Sequence, residues 1–147
     1  MNKHKLFLNG EWLDSASGET FEDINPATLE PIGLFQKGSM DDVNHAVDSA
    51  EEAFDSWSRT PPPQRAKILY RAARLLEERK EELARLMTME NGKVLPEARG
   101  DVQEAIDMAY YAAGEGRRLF GETTPSELPD KFCMTVRRPI GWVGLMY

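Results

Sequence analysis

The spacing of apolar positions along this chain changes near residue 39. Before it, short runs bounded by turn residues predict strands. Lys5-Leu6-Phe7-Leu8 and Glu11-Trp12-Leu13 are joined by Asn9-Gly10, the pair that best tolerates φ > 0 at both central turn positions, so a hairpin is expected. A turn over 14–18 leads to a strand over Thr20 to Asn25, and a second turn from Pro26 to Pro31 leads to a strand over Ile32 to Gln36.

Beyond residue 39 the period becomes helical. Val43, Ala46, Val47, Ala50, Ala53, Phe54 and Trp57 recur at i, i+3, i+4, i+7, with Asp42, Asp48, Glu51, Glu52 and Asp55 between them. Ser39 is the predicted N-cap, with Asp42 in the capping-box position. Phe54 and Trp57 are assigned to the core, and the acidic face to solvent. Thr60 and Pro61 are read as the N-cap and first turn of the next helix, whose apolar stripe runs from Ile68 through Met89. The charge run Glu77 to Glu82 interrupts that stripe, as either a solvated face or a break between two helices. Asn91-Gly92 supplies a stop.

A further helix is expected from Pro96 or Asp101 to Phe120, with Val102, Ala105, Ile106, Ala109, Ala112, Ala113 and Leu119 inward and Arg117-Arg118 in its last turn. Glu122 to Lys131 is a polar connection, and Phe132 to Arg138 and Trp142 to Tyr147 are strand-like. The last of these runs has no turn residue after it. It reads as part of a buried parallel strand, and so as a chain that has been cut.

Composition adjusts this picture in three ways. At 147 residues and 41% hydrophobic, the chain has the length for a core of its own. Eighteen Lys and Arg against 25 Asp and Glu give a net charge of −7, which opposes binding to nucleic acid or an anionic membrane. Cys133 is the only cysteine, so no internal disulfide forms and a cytoplasmic, reducing compartment is expected. No apolar run approaches the roughly 20 residues needed to span a bilayer.

Candidate chemistry is sparse. His4 and His45, the two histidines, give no convincing metal site and no nucleophile–base pair. Cys133 lies in a strand-like segment without an electropositive loop or helix N-terminus to activate its thiol, and is read as structural. Gly114-Glu115-Gly116 sits inside helical periodicity with no preceding strand, and Gly141 to Gly144 lacks a following helix, so neither forms a phosphate-binding loop.

Order along the chain carries more than any single motif. Leu8-Asn9-Gly10-Glu11-Trp12, Ile24-Asn25-Pro26-Ala27-Thr28, the Asp42 to Trp57 helix, Pro62-Pro63-Gln64-Arg65, Glu90-Asn91-Gly92-Lys93, Glu97 to Val102, Tyr110-Tyr111-Ala112 and Arg138 to Gly144 succeed one another as in the N-terminal part of the aldehyde dehydrogenase superfamily. The chain resembles about the first third of such an enzyme. The resemblance implies an α/β fold: strand hairpins, then long amphipathic helices, then strands leading into a Rossmann-like cofactor domain and an oligomerisation hairpin. It divides the chain into N-terminal strands (1–38), a helical segment (39–121), a hairpin-like segment (122–138) and the first part of a cofactor-domain strand (139–147).

The implied parent activity is NAD(P)-dependent oxidation of an aldehyde to a carboxylic acid through a cysteine thiohemiacetal and thioester. The family's catalytic cysteine and glutamate, and the asparagine of the Pro-Trp-Asn that follows the strand matching Val143 to Tyr147, have no counterpart here. Cys133 does not match that cysteine. No catalytic residue is therefore assigned, and this chain alone is expected to be inactive. Met146 and Tyr147 are assigned to the edge of the cofactor site, with NAD or NADP bound by the complete family member and none by this chain. The Ile24 carbonyl and the Asp101 carboxylate resemble part of a monovalent-cation site of some members, an incomplete set, and no metal site is assigned. Family members are homo-oligomers, so pairing with a homologous or C-terminal chain is expected. The alternative is a non-catalytic subunit, or complementing fragment, that docks onto a homologous chain. A free helical interaction module would leave the ordered matches unexplained.

Overall fold

A computed structural model describes residues 2–146. Five strands come first: β1 (Lys3–His4), β2 (Leu6–Leu8), β3 (Glu11–Leu13), β4 (Thr20–Ile24) and β5 (Pro31–Gln36). Helices α1 (Met40–Arg59), α2 (Pro62–Glu78), α3 (Lys80–Asn91) and α4 (Leu95–Gly114) follow, then a 3-10 turn (Glu115–Arg117) and a short pair, β6 (Thr123–Thr124) and β7 (Cys133–Met134).

The strands form three small sheets. β2 and β3 are the expected antiparallel hairpin, with Phe7 opposite Trp12, and Asn9 and Gly10 take φ of 48° and 84° at the turn. The positive pair gives the turn a twist that matches its strands. β5 is central in a three-stranded sheet, parallel to β1 and antiparallel to β4, with an irregularity in register at Asp23/Ile24. β6 and β7 pair Thr123 with Met134 and Thr124 with Cys133.

Ser39 caps α1 as expected. Its hydroxyl accepts from the Asp42 backbone N–H, and the Asp42 carboxylate accepts from the Ser39 backbone N–H, a complete capping box. Thr60, by contrast, closes α1 instead of opening α2. Its N–H donates to the Trp57 carbonyl and its hydroxyl donates to the Ser56 carbonyl. The α2 N-cap is Pro61, and Pro62 and Pro63 occupy the first turn. Having no N–H, these prolines leave little for a capping hydroxyl to satisfy.

The open question of the charge run is settled as a break. Arg79, at φ −103° and ψ 12°, separates α2 from α3, and its guanidinium grips the Glu82 carboxylate at 2.5 and 2.9 Å. The helix α3 ends at Gly92, whose φ of 82° is left-handed. A Cβ there would lie 2.7 Å from the Pro26 ring, so the position excludes side chains twice over. Gly92→Ala is expected to cost more than about 1 kcal/mol in a urea melt. An unchanged midpoint would show that this junction does not hold the helices to the strand layer.

The expected helix to Phe120 is shorter than its periodicity suggests. It stops at Gly114 and tightens into the 3-10 turn, placing Arg117 and Arg118 beyond the α-helix. Two glycines weaken the helix here, and Gly116 lies so close to α2 that a Cβ would come within 2.5 Å of the Ala66 Cβ.

The core lies where α4 packs on α2 and α3. Ala84, Ala98, Val102 and Ile106 are buried together, flanked by Leu76, Leu83, Met87, Leu95 and Tyr110. Alanines at the crossings let the helices approach closely. Ala105, Ala112 and Leu119, expected inward, are exposed, because α4 meets its neighbours along a narrower stripe than its sequence offers and Leu119 lies beyond its end.

The apolar stripe of α1 finds no such partner. Val43 is 55% and Trp57 46% exposed, and Phe54 is only half-buried, correcting the expectation that Phe54 and Trp57 fill the core. The start of α1 is anchored on the loop after β3, where Asp42 accepts from the Ser15 hydroxyl, and α1 also meets β2. Of the strand-like run Phe132 to Arg138, only β7 pairs, and 135–146 form no strand. Ile140, Val143 and Leu145 are exposed, because no neighbouring strand lies beside them among the described residues.

Candidate functional site

The two residues assigned to a cofactor edge lie at the end of this unpaired run. Met146 is 98% exposed, and Tyr147 lies outside the described residues. Met146 supplies an apolar side chain and nothing that binds phosphate or ribose. Cys133 is half-buried in β7, opposite Thr124, and neither histidine lies in that hairpin.

Asp101 tests the cation reading. Its carboxylate is held by the ammonium of Lys93, across the Pro96 entry to α4. That contact, with the charge of Glu97 nearby, holds the Lys93 ammonium above its ordinary pKa. Asp101 is thus engaged by Lys93 in this structure.

The most elaborate polar site is structural. Asp42 is buried, and its carboxylate accepts from the Ser15 hydroxyl at 2.6 Å, the Ala16 N–H at 3.0 Å and the Ser39 N–H at 2.7 Å. Gln36 completes the anchor, accepting from the Ser15 N–H and donating to Asp14. Sequence reasoning found Asp42 as a capping residue. It missed the loop after β3, because nothing in local spacing reveals a contact between residues 15 and 42.

These hydrogen bonds, that of the Ser15 hydroxyl first, hold the Asp42 carboxyl far below its ordinary value of 3.8. A depressed folded-state pKa stabilises the fold above the unfolded value, and this contribution is lost as pH falls through the folded one. Melting temperature should therefore fall as pH drops below 3.8, and fall less steeply in Asp42→Asn. Parallel pH profiles for the two proteins would show that Asp42 is not the group responsible.

A groove of about 310 Å³ lies between α2, the end of α1 and the 3-10 turn. Trp57, Ile68, Leu69, Ala112 and Leu119 give it apolar walls, and the Arg65 guanidinium sits 5.8 Å from the centre of the Trp57 ring. Arg65 belongs to one of the matched motifs, but its pairing with Trp57 crosses the proline turn and was not legible in either helix alone. A second depression, of about 400 Å³, lies between the central sheet and α3, where His4 stacks on Phe35 at 4.5 Å beside Phe21, Asp23 and Glu90.

Hairpins leading into a layer of amphipathic helices, with an apolar run leaving the last hairpin, define an α/β protein. More narrowly, the chain belongs to the aldehyde dehydrogenase family, which residues 12–147 match. It is 42% identical to malonate-semialdehyde dehydrogenase of Bacillus velezensis over 144 residues, covering 98% of this chain and 30% of the relative. It is 37% identical to succinate-semialdehyde dehydrogenase [NADP(+)] GabD of Escherichia coli over 139 residues, covering 95% of this chain and 29% of the relative.

Solved structures agree. An aldehyde dehydrogenase from Brucella melitensis biovar abortus superposes with a TM-score of 0.90 at 32% identity, over 94% of this chain and 29% of that one. Betaine aldehyde dehydrogenase of Staphylococcus aureus, in complex with NAD+, gives 0.88 at 33% identity, over 92% and 28%. The fold is the N-terminal part of the aldehyde dehydrogenase fold, and the chain spans about 30% of the length of the curated relatives it matches. None of its described helices is long and apolar enough to cross a membrane.

Proposed function

We propose that this chain supplies the N-terminal part of an NAD(P)-dependent aldehyde dehydrogenase and takes part in aldehyde oxidation only together with the rest of that fold. One observation carries the reading: nearly the whole chain superposes on enzymes of this family, while matching less than a third of their length. Its own residues contribute the α2–α4 helical layer, with Met146 and Tyr147 at the edge of the cofactor site. The family's nucleophile and base come from the rest of that fold. Homo-oligomerisation through the β6–β7 hairpin belongs to the same proposal.

Co-expression tests it. The full chain, produced with the remaining C-terminal portion of the E. coli succinate-semialdehyde dehydrogenase as a separate polypeptide, should form a complex that reduces NADP+ with succinate semialdehyde. Failure of the two to associate would overturn the proposal.

The exposed α1 stripe favours a second reading, a non-catalytic subunit that docks onto a homologous chain. That reading expects a complex with a complete homologue and no turnover in the co-expressed assembly.

A further inference from the structure

We infer that Asn9 is a self-modification site. Its side-chain amide closes on the backbone nitrogen of Gly10 to a succinimide, which water opens to aspartate or isoaspartate, while the fold protects the chain's other Asn-Gly pair, Asn91-Gly92. The inference stands independently of the function proposed above.

Of five asparagines, two precede glycine. Glycine matters because the attacking atom is the nitrogen of the next residue, and without a Cβ that residue neither crowds the approach nor restricts the rotation it needs. The Gly10 nitrogen bonds to the Asn9 Cγ and gives up its proton. The Cγ–Nδ2 bond breaks, and ammonia leaves with that proton. Water then adds to either ring carbonyl. Opening at the side-chain carbonyl gives aspartate, and opening at the main-chain carbonyl routes the chain through Cγ as isoaspartate. Nothing is oxidised or reduced, and water is the only co-reactant.

Sequence alone makes the two pairs equivalent, and both asparagines are exposed. Their backbones differ. Asn91 is the last residue of α3, and the Gly92 N–H donates to the Thr88 carbonyl at 3.0 Å, with Gly92 seated against the Pro26 ring. Swinging the Gly92 nitrogen toward the side chain breaks that bond and lifts the junction from the strand layer. The surroundings of Asn9 are open: beyond its chain neighbours, no atom comes within 4 Å of where a Gly10 Cβ would lie, and the turn joins strands of three residues each. A hairpin this short frays readily, which gives Asn9 the rotation that ring closure requires.

Isoaspartate at position 9 adds a main-chain atom to a two-residue turn whose geometry sets Leu6, Phe7 and Leu8 opposite Leu13, Trp12 and Glu11. The Phe7 and Trp12 rings, 4.9 Å apart, face each other in that register. The modified hairpin therefore opens, while the α4 crossing stays intact.

The test incubates the full chain at mildly alkaline pH and follows amide-to-acid conversion at each asparagine by peptide mapping and mass spectrometry. Methylation by an isoaspartyl methyltransferase marks the isoaspartyl product. Asn9 should convert at least about tenfold faster than Asn91 in the folded chain, and the two rates should converge in urea, where the α3 end no longer protects Asn91. Asn9→Gln, whose longer side chain closes a ring poorly, should abolish the signal at that position and leave Asn91 as it was. The purified isoaspartyl chain should show faster amide hydrogen exchange across β2 and β3 and unchanged exchange in α4. No conversion at Asn9, or conversion at Asn91 as fast in the folded chain, would overturn the inference. A rate ratio that urea leaves unchanged would place the difference in local sequence and overturn the protective role of the fold. Conversion at Asn9 with unchanged exchange in β2 and β3 would overturn the opening of the hairpin.

Discussion

The purified chain, given NAD+ or NADP+ and an aldehyde, is expected to produce no reduced cofactor above a protein-free control. Oxidising an aldehyde through a thiohemiacetal needs a nucleophile beside a base, donors aimed at the developing oxyanion and a nicotinamide that accepts the hydride. Here the one thiol, Cys133, is half-buried in a two-residue strand, with no histidine in its hairpin. Removing one member of a catalytic unit already costs orders of magnitude. The expected contrast is therefore all or none: nothing alone, turnover when the remaining length is supplied. Aldehyde-dependent reduction by the chain alone that disappears in Cys133→Ser would overturn this account and place a nucleophile where the fold shows none.

Ile106→Ala should be the most damaging single truncation. Ile106 is 1% exposed, and the other fully enclosed positions around it are alanines, so it supplies a large share of the apolar volume buried between α4 and the helices it crosses. Ile→Ala at such a site typically costs about 2–5 kcal/mol, through lost transfer energy and the cavity left behind. Against the usual margin of about 5–15 kcal/mol for a domain, that is a loss the α2–α4 layer can barely absorb. Urea melts followed by far-UV circular dichroism measure it. A change below about 1 kcal/mol would show that the α4 crossing is not what holds the layer together.

The groove beside Trp57 and the core make opposite demands on neighbouring residues. Ala66 and Gly116 are small because α2 and the 3-10 turn must touch. Trp57, Ile68 and Leu119 are large although exposed, so packing within the described residues does not account for their size.

Much of the local structure was legible in the sequence. Asn9-Gly10 specified its hairpin because few residues accept two positive φ angles in succession. Ser39 and Asp42 specified a helix start through a hydrogen-bonding pattern three residues long, and Gly92 a helix end. Family membership was legible too, because an ordered series of short motifs retains information that no single motif holds.

Other features depended on what packs against what. Arg79 could have continued the helix or broken it, and in the folded chain its backbone leaves the helical region between α2 and α3, both of which pack on α4. The α1 stripe has the periodicity of a buried face, but periodicity records only which side of a helix is apolar, not whether a partner is present. Asp42 was visible as a cap, whereas its grip on Ser15 and Ala16 required the loop after β3 to be brought beside α1. Arg65 and Trp57 meet across the proline turn, at the junction of α1 and α2. In this protein local hydrogen-bonding and steric rules, acting over a few residues, determined the elements and the family. Which apolar faces are covered, and which charges are left to find partners, was decided only by the tertiary structure, because burial depends on long-range neighbours that local sequence does not encode.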